Sequence, residues 1–384
     1  MTKEKMRHVA VARNAIDPIL AEWQAAWPQM GVLALLPEAE KAALPVLQEA
    51  CRARNIALAG GIFPALVGDG NFRSDGVLLI RLDEMVPACL IPDVNAGEPD
   101  AAGKIAKALA PALDALPAGT KPTLYMIFDG LVPNIATILD GLYLKLADRV
   151  GYAGVNAGSE TFQPMPCLFD GGHVIGNGLL ALLLPGPVAT VLEHGFPVPE
   201  RSMTATATAG NQIISIDWRP AFDVYQEIIQ SEYGIALTRE NFYEYAVHFP
   251  FGILRANGEV VVRIPVALTD DGGVFCVGEV PENAMLALLA APSADAGHCI
   301  GRLAETLAAA NGPLPGRSLL TFYCAGRRMH LGNDAAQELA ELAARTGAAM
   351  IAGALSLGEI GSTQREGYPT FHNATLVCTP WQGP

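Results

Sequence analysis

Ile351-Ala-Gly-Ala-Leu-Ser-Leu-Gly-Glu-Ile-Gly361 decides how this chain is read. A short apolar run carrying an Ala-Gly pair reads as a buried strand, and the glycines of its polar end permit close backbone approach. Upstream, Ser318 to Tyr323 reads as another strand. It runs into Cys324-Ala-Gly-Arg327-Arg-Met-His330. A helical pattern joins the two: Asp334 and Gln337 have capping-box spacing, Leu339, Leu342 and Ala343 form the inner stripe, and Gly347 ends the helix. Downstream, His372-Asn373 precede a last apolar run. The unit is strand, helix, Ala-Gly strand, polar turn.

The same unit occurs twice earlier. Thr123-Leu-Tyr-Met-Ile-Phe128 leads to a helix over about 134–149, with Ile135, Ile138, Leu139, Leu142 and Leu146 on one face. Gly151 suits its C′ position, and Tyr152-Ala-Gly-Val-Asn-Ala-Gly-Ser-Glu160 supplies the second strand. Before that, Gly31-Val-Leu-Ala-Leu-Leu36 leads to a helix running through Arg54, with Leu44, Leu47, Ala50 and Cys51 inward, and then to Ile56-Ala-Leu-Ala-Gly-Gly61. The predicted class is α/β: repeated strand–helix–strand units forming layered mixed sheets covered by helices, in two related domains. The expected division is a helical segment over 1–30, one domain over 31–215 and a second over 216–384. Between the second and third copies the composition changes. Pro185 to Met203 is proline-rich, and Thr204 to Thr208 alternates as an edge strand would. Asn211 to Trp218 continues it, Phe222 to Tyr233 is helical, Val260–Val266 and Val274–Val280 suggest a hairpin, and Pro281-Glu282 suggests a helix start.

Composition narrows the function. The 384 residues are 51% apolar and 17% charged, ample for large cores. The net charge is −14 with no Lys/Arg-rich run, which argues against nucleic acid as a partner. Seven scattered cysteines without a C-x-x-C argue against a disulfide framework or zinc ribbon and point to a reducing cytoplasm. No signal peptide is legible, and the run from Gly178 to Leu192 is broken by Pro185 and Pro187, too short for the ~20 residues a membrane span needs.

Several segments together resemble the FIST family of sensory proteins, built of FIST N and FIST C domains. They are Thr208-Ala-Gly-Asn-Gln-Ile-Ile-Ser-Ile-Asp217 with Pro220-Ala221 and Tyr225; Phe322-Tyr-Cys-Ala-Gly-Arg327; Gly353 with Gly358-Glu-Ile-Gly361; and His372-Asn-Ala-Thr375. Gly60-Gly-Ile-Phe-Pro64 departs from the family's usual small-residue turn. The resemblance covers roughly 30–375. It implies an input module for signal transduction that binds a small molecule and acts on a separate output protein, such as a histidine kinase or a cyclic-di-GMP enzyme. Some family members are similar haem proteins that sense nitric oxide, so a haem-based sensor is the alternative it implies.

The candidate ligand-binding residues are Cys324, Arg327, Gly358, Glu359, His372 and Asn373. Arg327 is a planar fork suited to a carboxylate ligand, or the partner of Glu359. Glu359, between glycines, suits a ligand amine, or Arg327. Cys324 with His372 as base gives a third reading, a cysteine hydrolase; otherwise Cys324 is a small buried hydrophobe. His372 and Asn373 also suit backbone capping. For haem, His330, His248 and His173 are the candidate ligands, and covalent attachment is excluded because no Cys-x-x-Cys-His occurs.

Overall fold

The computed structural model describes residues 4–68, 70–94, 100–117, 119–186, 189–290, 298–361 and 368–381. Within them a seven-element unit occurs three times: edge strand, helix, strand, helix, strand, hairpin, strand. The first unit runs through Met6–Val9, Arg13–Ala26, Gly31–Pro37, Leu44–Ala53, Ala57–Phe63, the hairpin Leu66–Gly68 and Asn71–Arg73, and Val77–Leu82. The second runs through Ala88–Pro92, Ala101–Asp114, Thr123–Asp129, Ile135–Leu146, Gly151–Ala157, the hairpin Leu168–Asp170 and Val174–Ile175, and Gly178–Leu184. The third runs through Val191–Glu193, His298–Asn311, Ser318–Cys324, Ala325–Leu331 with Ala335–Thr346, Met350–Ser356, the hairpin Glu359–Gly361 and Thr370–His372, and Leu376–Pro380. The repeat is therefore larger than the strand–helix–strand core visible in the sequence.

Each unit builds a mixed sheet around one parallel pair. The pairs share one register: Gly31 opposite Ala57, Thr123 opposite Gly151, Ser318 opposite Met350. The Ala-Gly signal has a common cause. A Cβ on Gly60, Gly154 or Gly353, the fourth residue of each second strand, would meet the carbonyl oxygen of Ala34, Met126 or Thr321 at 2.2, 2.2 and 1.8 Å. Gly31–Pro37, Thr123–Asp129 and Gly178–Leu184 are buried along their whole length, because helices and the other sheets cover both faces.

The hairpins are exchanged. The first unit's hairpin pairs with Met350–Ser356 of the third. The second unit's pairs with Ala57–Phe63 of the first, and the third unit's with Gly151–Ala157 of the second. The exchange closes on itself after three steps. Leu33, Phe63, Ile127, Val155, Leu320, Phe322 and Ala354 accordingly share one central core across all three units.

One large insertion interrupts the third unit between its edge strand and first helix. It contains a sheet in which Phe251–Leu254, Met285–Leu288, Met203–Ala209, Gln212–Ile216 and Val274–Cys276 are successive neighbours. Helix Ala221–Tyr233, ended by Gly234 in the left-handed region (φ 69°), packs on it. Several local expectations differ, among them the edge strand at Thr204 to Thr208, which has neighbours on both sides, and the capping box at Asp334, whose side chain accepts from Gln337 Nε2 and caps no backbone N–H. Val260–Arg263 pairs with Phe251–Leu254, so only Pro265–Leu268 forms the hairpin with Val274–Cys276. No helix starts at Pro281: Asn283 turns the chain at φ 62° and Met285–Leu288 joins the sheet. Gly151 begins a strand, and Ala147 (φ 45°) ends the preceding helix instead.

Candidate functional site

Cys324 ends Ser318–Cys324, the first strand of the third unit's parallel pair, and stands at the N-cap of the short helix Ala325–Leu331. Only 3% of it is exposed. The Ala374 N–H donates to its Sγ at 3.1 Å, joined by the N–H groups of Gly326 and Arg327. Ala374 adopts φ 55°, a conformation that costs a non-glycine residue on the order of 1 kcal/mol or more and that sets its N–H toward the thiol.

Glu359 lies behind the thiol, fully buried. Its carboxylate accepts from Ser356 Oγ at 2.5 Å, from Thr375 Oγ1 at 2.7 Å and from the Cys324 thiol. Burial pushes its pKa up to about 7, against the lowering effect of these donors. Burial, and next the Glu359 charge, also push the Cys324 thiol up. The scaffold does not require this polarity. By register, Leu66 and Leu168 stand where Glu359 stands, and Phe63 and Ala157 where Ser356 stands.

Asn373 is 1% exposed. Its Nδ2 donates to the His372 carbonyl at 3.0 Å, and its Oδ1 has no partner among the described residues. Asn373 and Cys324 line the same pocket, with Leu357 and Met329 of the third unit, Ile264, Val266 and Val277 of the insertion, Tyr243 of its short helix Phe242–Ala246, and Phe162 and Glu160 of the second unit. The pocket holds about 520 Å³ of empty space, part of it open to solvent. Its wall is chiefly apolar, and the carboxylate among its described lining residues, Glu160, is paired with Arg328 at 3.0 Å.

The other expected residues are placed differently. Arg327 pairs with Glu338, not Glu359: Nε reaches Oε2 at 2.8 Å and Nη2 reaches Oε1 at 2.5 Å. Its Nη1 donates to the His194 carbonyl at 2.6 Å, and Tyr323 OH donates to the same Glu338 at 2.6 Å. Gly358 serves packing, since a Cβ there would lie 2.3 Å from the Phe371 ring. His372 is fully buried; its Nε2 meets Thr370 Oγ1 at 2.5 Å and lies 3.7 Å from Glu259, while Nδ1 has no partner among the described residues. Burial, with Arg263 nearby, holds it well below the usual histidine range, so it is neutral. The carboxylate against the Cys324 thiol is thus Glu359, and His372 is turned toward Thr370.

His248 and His330 meet each other, Nδ1 to Nδ1 at 2.5 Å with rings near perpendicular at 69°. They flank the pocket, one residue beyond its lining residues Val247 and Met329. His173 is exposed on a hairpin against Asp170. The pocket-lining residues among those described include no histidine and do not fit an imidazole-ligated haem. Among the described residues no group of three His, Cys, Asp or Glu side chains is gathered for a metal ion, and no helix is long and apolar enough to cross a membrane. Sequence reasoning missed Ser356 and Thr375, although both lie inside the quoted motifs. It also missed Glu338 and the whole insertion wall, which no local signal marks.

The model of the FIST N domain matches residues 32–219, and that of the FIST C domain matches residues 221–362. The junction of the two matches falls inside the inserted sheet, between Gln212–Ile216 and the helix Ala221–Tyr233. No curated protein matches the chain.

Proposed function

Because the chain belongs to the FIST family, whose domains are associated with sensing in signal transduction, we propose that it is a receptor for a small molecule held in the Cys324–Asn373 pocket. The observation that carries the reading is that Asn373, a residue of this chiefly apolar wall, has a buried acceptor, Oδ1, with no partner among the described residues. Leaving such a group unsatisfied costs about 1–3 kcal/mol, which a ligand's N–H or O–H would recover. The pocket lies between the main body and the insertion. Occupancy would therefore shift the insertion against the units, and that shift is the signal. It is read by a separate protein, such as a histidine kinase or a cyclic-di-GMP enzyme.

Ile264→Trp, which fills the pocket from the insertion side, tests this. Small molecules released from washed, denatured protein are compared by mass spectrometry between wild type and variant, and a fragment set is screened by ligand-observed NMR on both. A compound bound by wild type and lost in Ile264→Trp supports the reading. Equal behaviour of the two proteins in both measurements removes it.

A further inference from the structure

We propose that the His248–His330 contact is a proton-sensitive latch, which holds the insertion against the third unit near neutral pH and releases it in acid. The latch needs no occupant in the pocket, so it stands or falls apart from the receptor reading. Three observations carry it. The two Nδ1 atoms meet at 2.5 Å, with ring centroids 4.8 Å apart. The rings come from different parts of the chain: His248 follows the insertion helix Phe242–Ala246, and His330 stands on the short helix Ala325–Leu331 of the third unit. Both residues are half-buried, so protons from solvent reach them.

An imidazole Nδ1 either carries a hydrogen or offers a lone pair. A bond between two Nδ1 atoms needs one of each, so one ring carries its proton on Nδ1 and the other on Nε2. The pair admits one further proton, on Nε2 of the donor ring, with the bond kept. A second proton has only the accepting Nδ1 left to take, which removes the lone pair and sets two cations N–H to N–H. Separated imidazoles each take a proton near pH 6.5. In acid the docked state therefore binds one proton fewer than the open state, and its hold weakens by up to about tenfold per pH unit below about pH 6. Burial, and next the neighbouring His330, hold His248 below the usual histidine range, which has the same sign. The surrounding charges do not replace the lost lone pair. Glu244, on the insertion helix, favours a proton on His248. On the short helix, Arg327 and Arg328 are paired with Glu338 and Glu160. Of the elements packed on these two helices, Pro265–Leu268 and Ser318–Cys324 carry no charge, Asp334 accepts from Gln337, and Glu341 pairs with Arg345.

Hydrogen exchange of the full chain, read by mass spectrometry from pH 7.5 to pH 5 and corrected for the intrinsic rate, is the test. Peptides over 242–249 and 325–331 should lose protection in wild type as pH falls, severalfold or more by pH 5. His248→Gln and His330→Gln each leave a neutral hydrogen-bonding group facing a single histidine, and both should remove that step. Glu359 titrates with the opposite sign, so it does not imitate the effect. No step in wild type, or the same step in both variants, overturns the latch. NMR of wild type with labelled histidine gives a second readout that needs no variant. At pH 7.5 one of the two rings should be protonated at Nδ1 and the other at Nε2, with cross-peaks between them. Loss of those cross-peaks as the second ring is protonated supports the proposal. Two fully protonated rings that keep their contact at pH 5 refute it.

Discussion

Arg327 Nη2 lies 2.5 Å from Glu338 Oε1, with 2% and 6% of the two side chains exposed. Both ends of the pair are held further: Tyr323 donates to Glu338, and two carbonyls accept from Arg327. The arginine is thereby a clamp joining the short helix Ala325–Leu331 to the helix Ala335–Thr346 and to the His194 loop. Removing one partner strands a buried charge, which costs about 3–5 kcal/mol. Glu338→Gln and Arg327→Met should each lose that much in denaturant unfolding. A variant of Arg327 that kept full stability and lost only ligand binding would instead make it a recognition residue.

Glu359 predicts an unusual pH dependence. Its folded pKa, about 7, lies above the ordinary value of 4.5. A raised pKa means that the folded state holds its proton where the unfolded state has released it. Its contribution is complete below about pH 4.5 and is lost as pH rises to about 7, on the order of 3 kcal/mol in all. Glu359→Gln mimics the protonated acid and should flatten that part of the stability profile. Denaturant unfolding at about pH 5 and about pH 8 measures it, and an unchanged slope in the variant would show that another group titrates.

Gly60, Gly154 and Gly353 should be equally intolerant of alanine. Each Cβ would press on a backbone carbonyl that cannot swing aside. A cost of about 1–3 kcal/mol or more is expected for each, read as a lowered melting temperature. Gly70, with open space where a Cβ would stand, is a poor control because its φ is 72°; Gly171, open and without that constraint, is the better one.

Glu279 of the insertion caps a helix of the second unit. Its two carboxylate oxygens accept from the N–H groups of Ala136 and Thr137, both at 3.0 Å. Glu279→Ala should cost about 1–2 kcal/mol. Hydrogen exchange should quicken in the first turn of Ile135–Leu146 and leave the remote helix Leu44–Ala53 unchanged.

The parallel pairs and their helices were legible because each is local and its Ala-Gly mark reflects one close contact. The hairpin exchange was not, since Leu66, Leu168 and Glu359 choose partners in other units and nothing local names them. Thr204 to Thr208 alternates like an edge strand yet belongs to a strand with neighbours on both sides. Around the site, Cys324, Glu359 and Asn373 do gather at one place, whereas Arg327 is taken by Glu338, eleven positions on and past an intervening turn. His248 and His330 come together across 82 positions, a pairing beyond any local pattern.

The circular trade of hairpins bears on how the chain can be divided. A polypeptide cut between the two family matches, near residue 220, would strand Leu66–Gly68 without its acceptor Met350–Ser356, and Gly151–Ala157 without Glu359–Gly361. Each half would present bare sheet margins ready to pair with foreign strands. Expressed apart, the FIST N and FIST C stretches should aggregate; co-expressed, they should recover one another as a complementing pair. In this protein the two names mark portions of a single interlocked body.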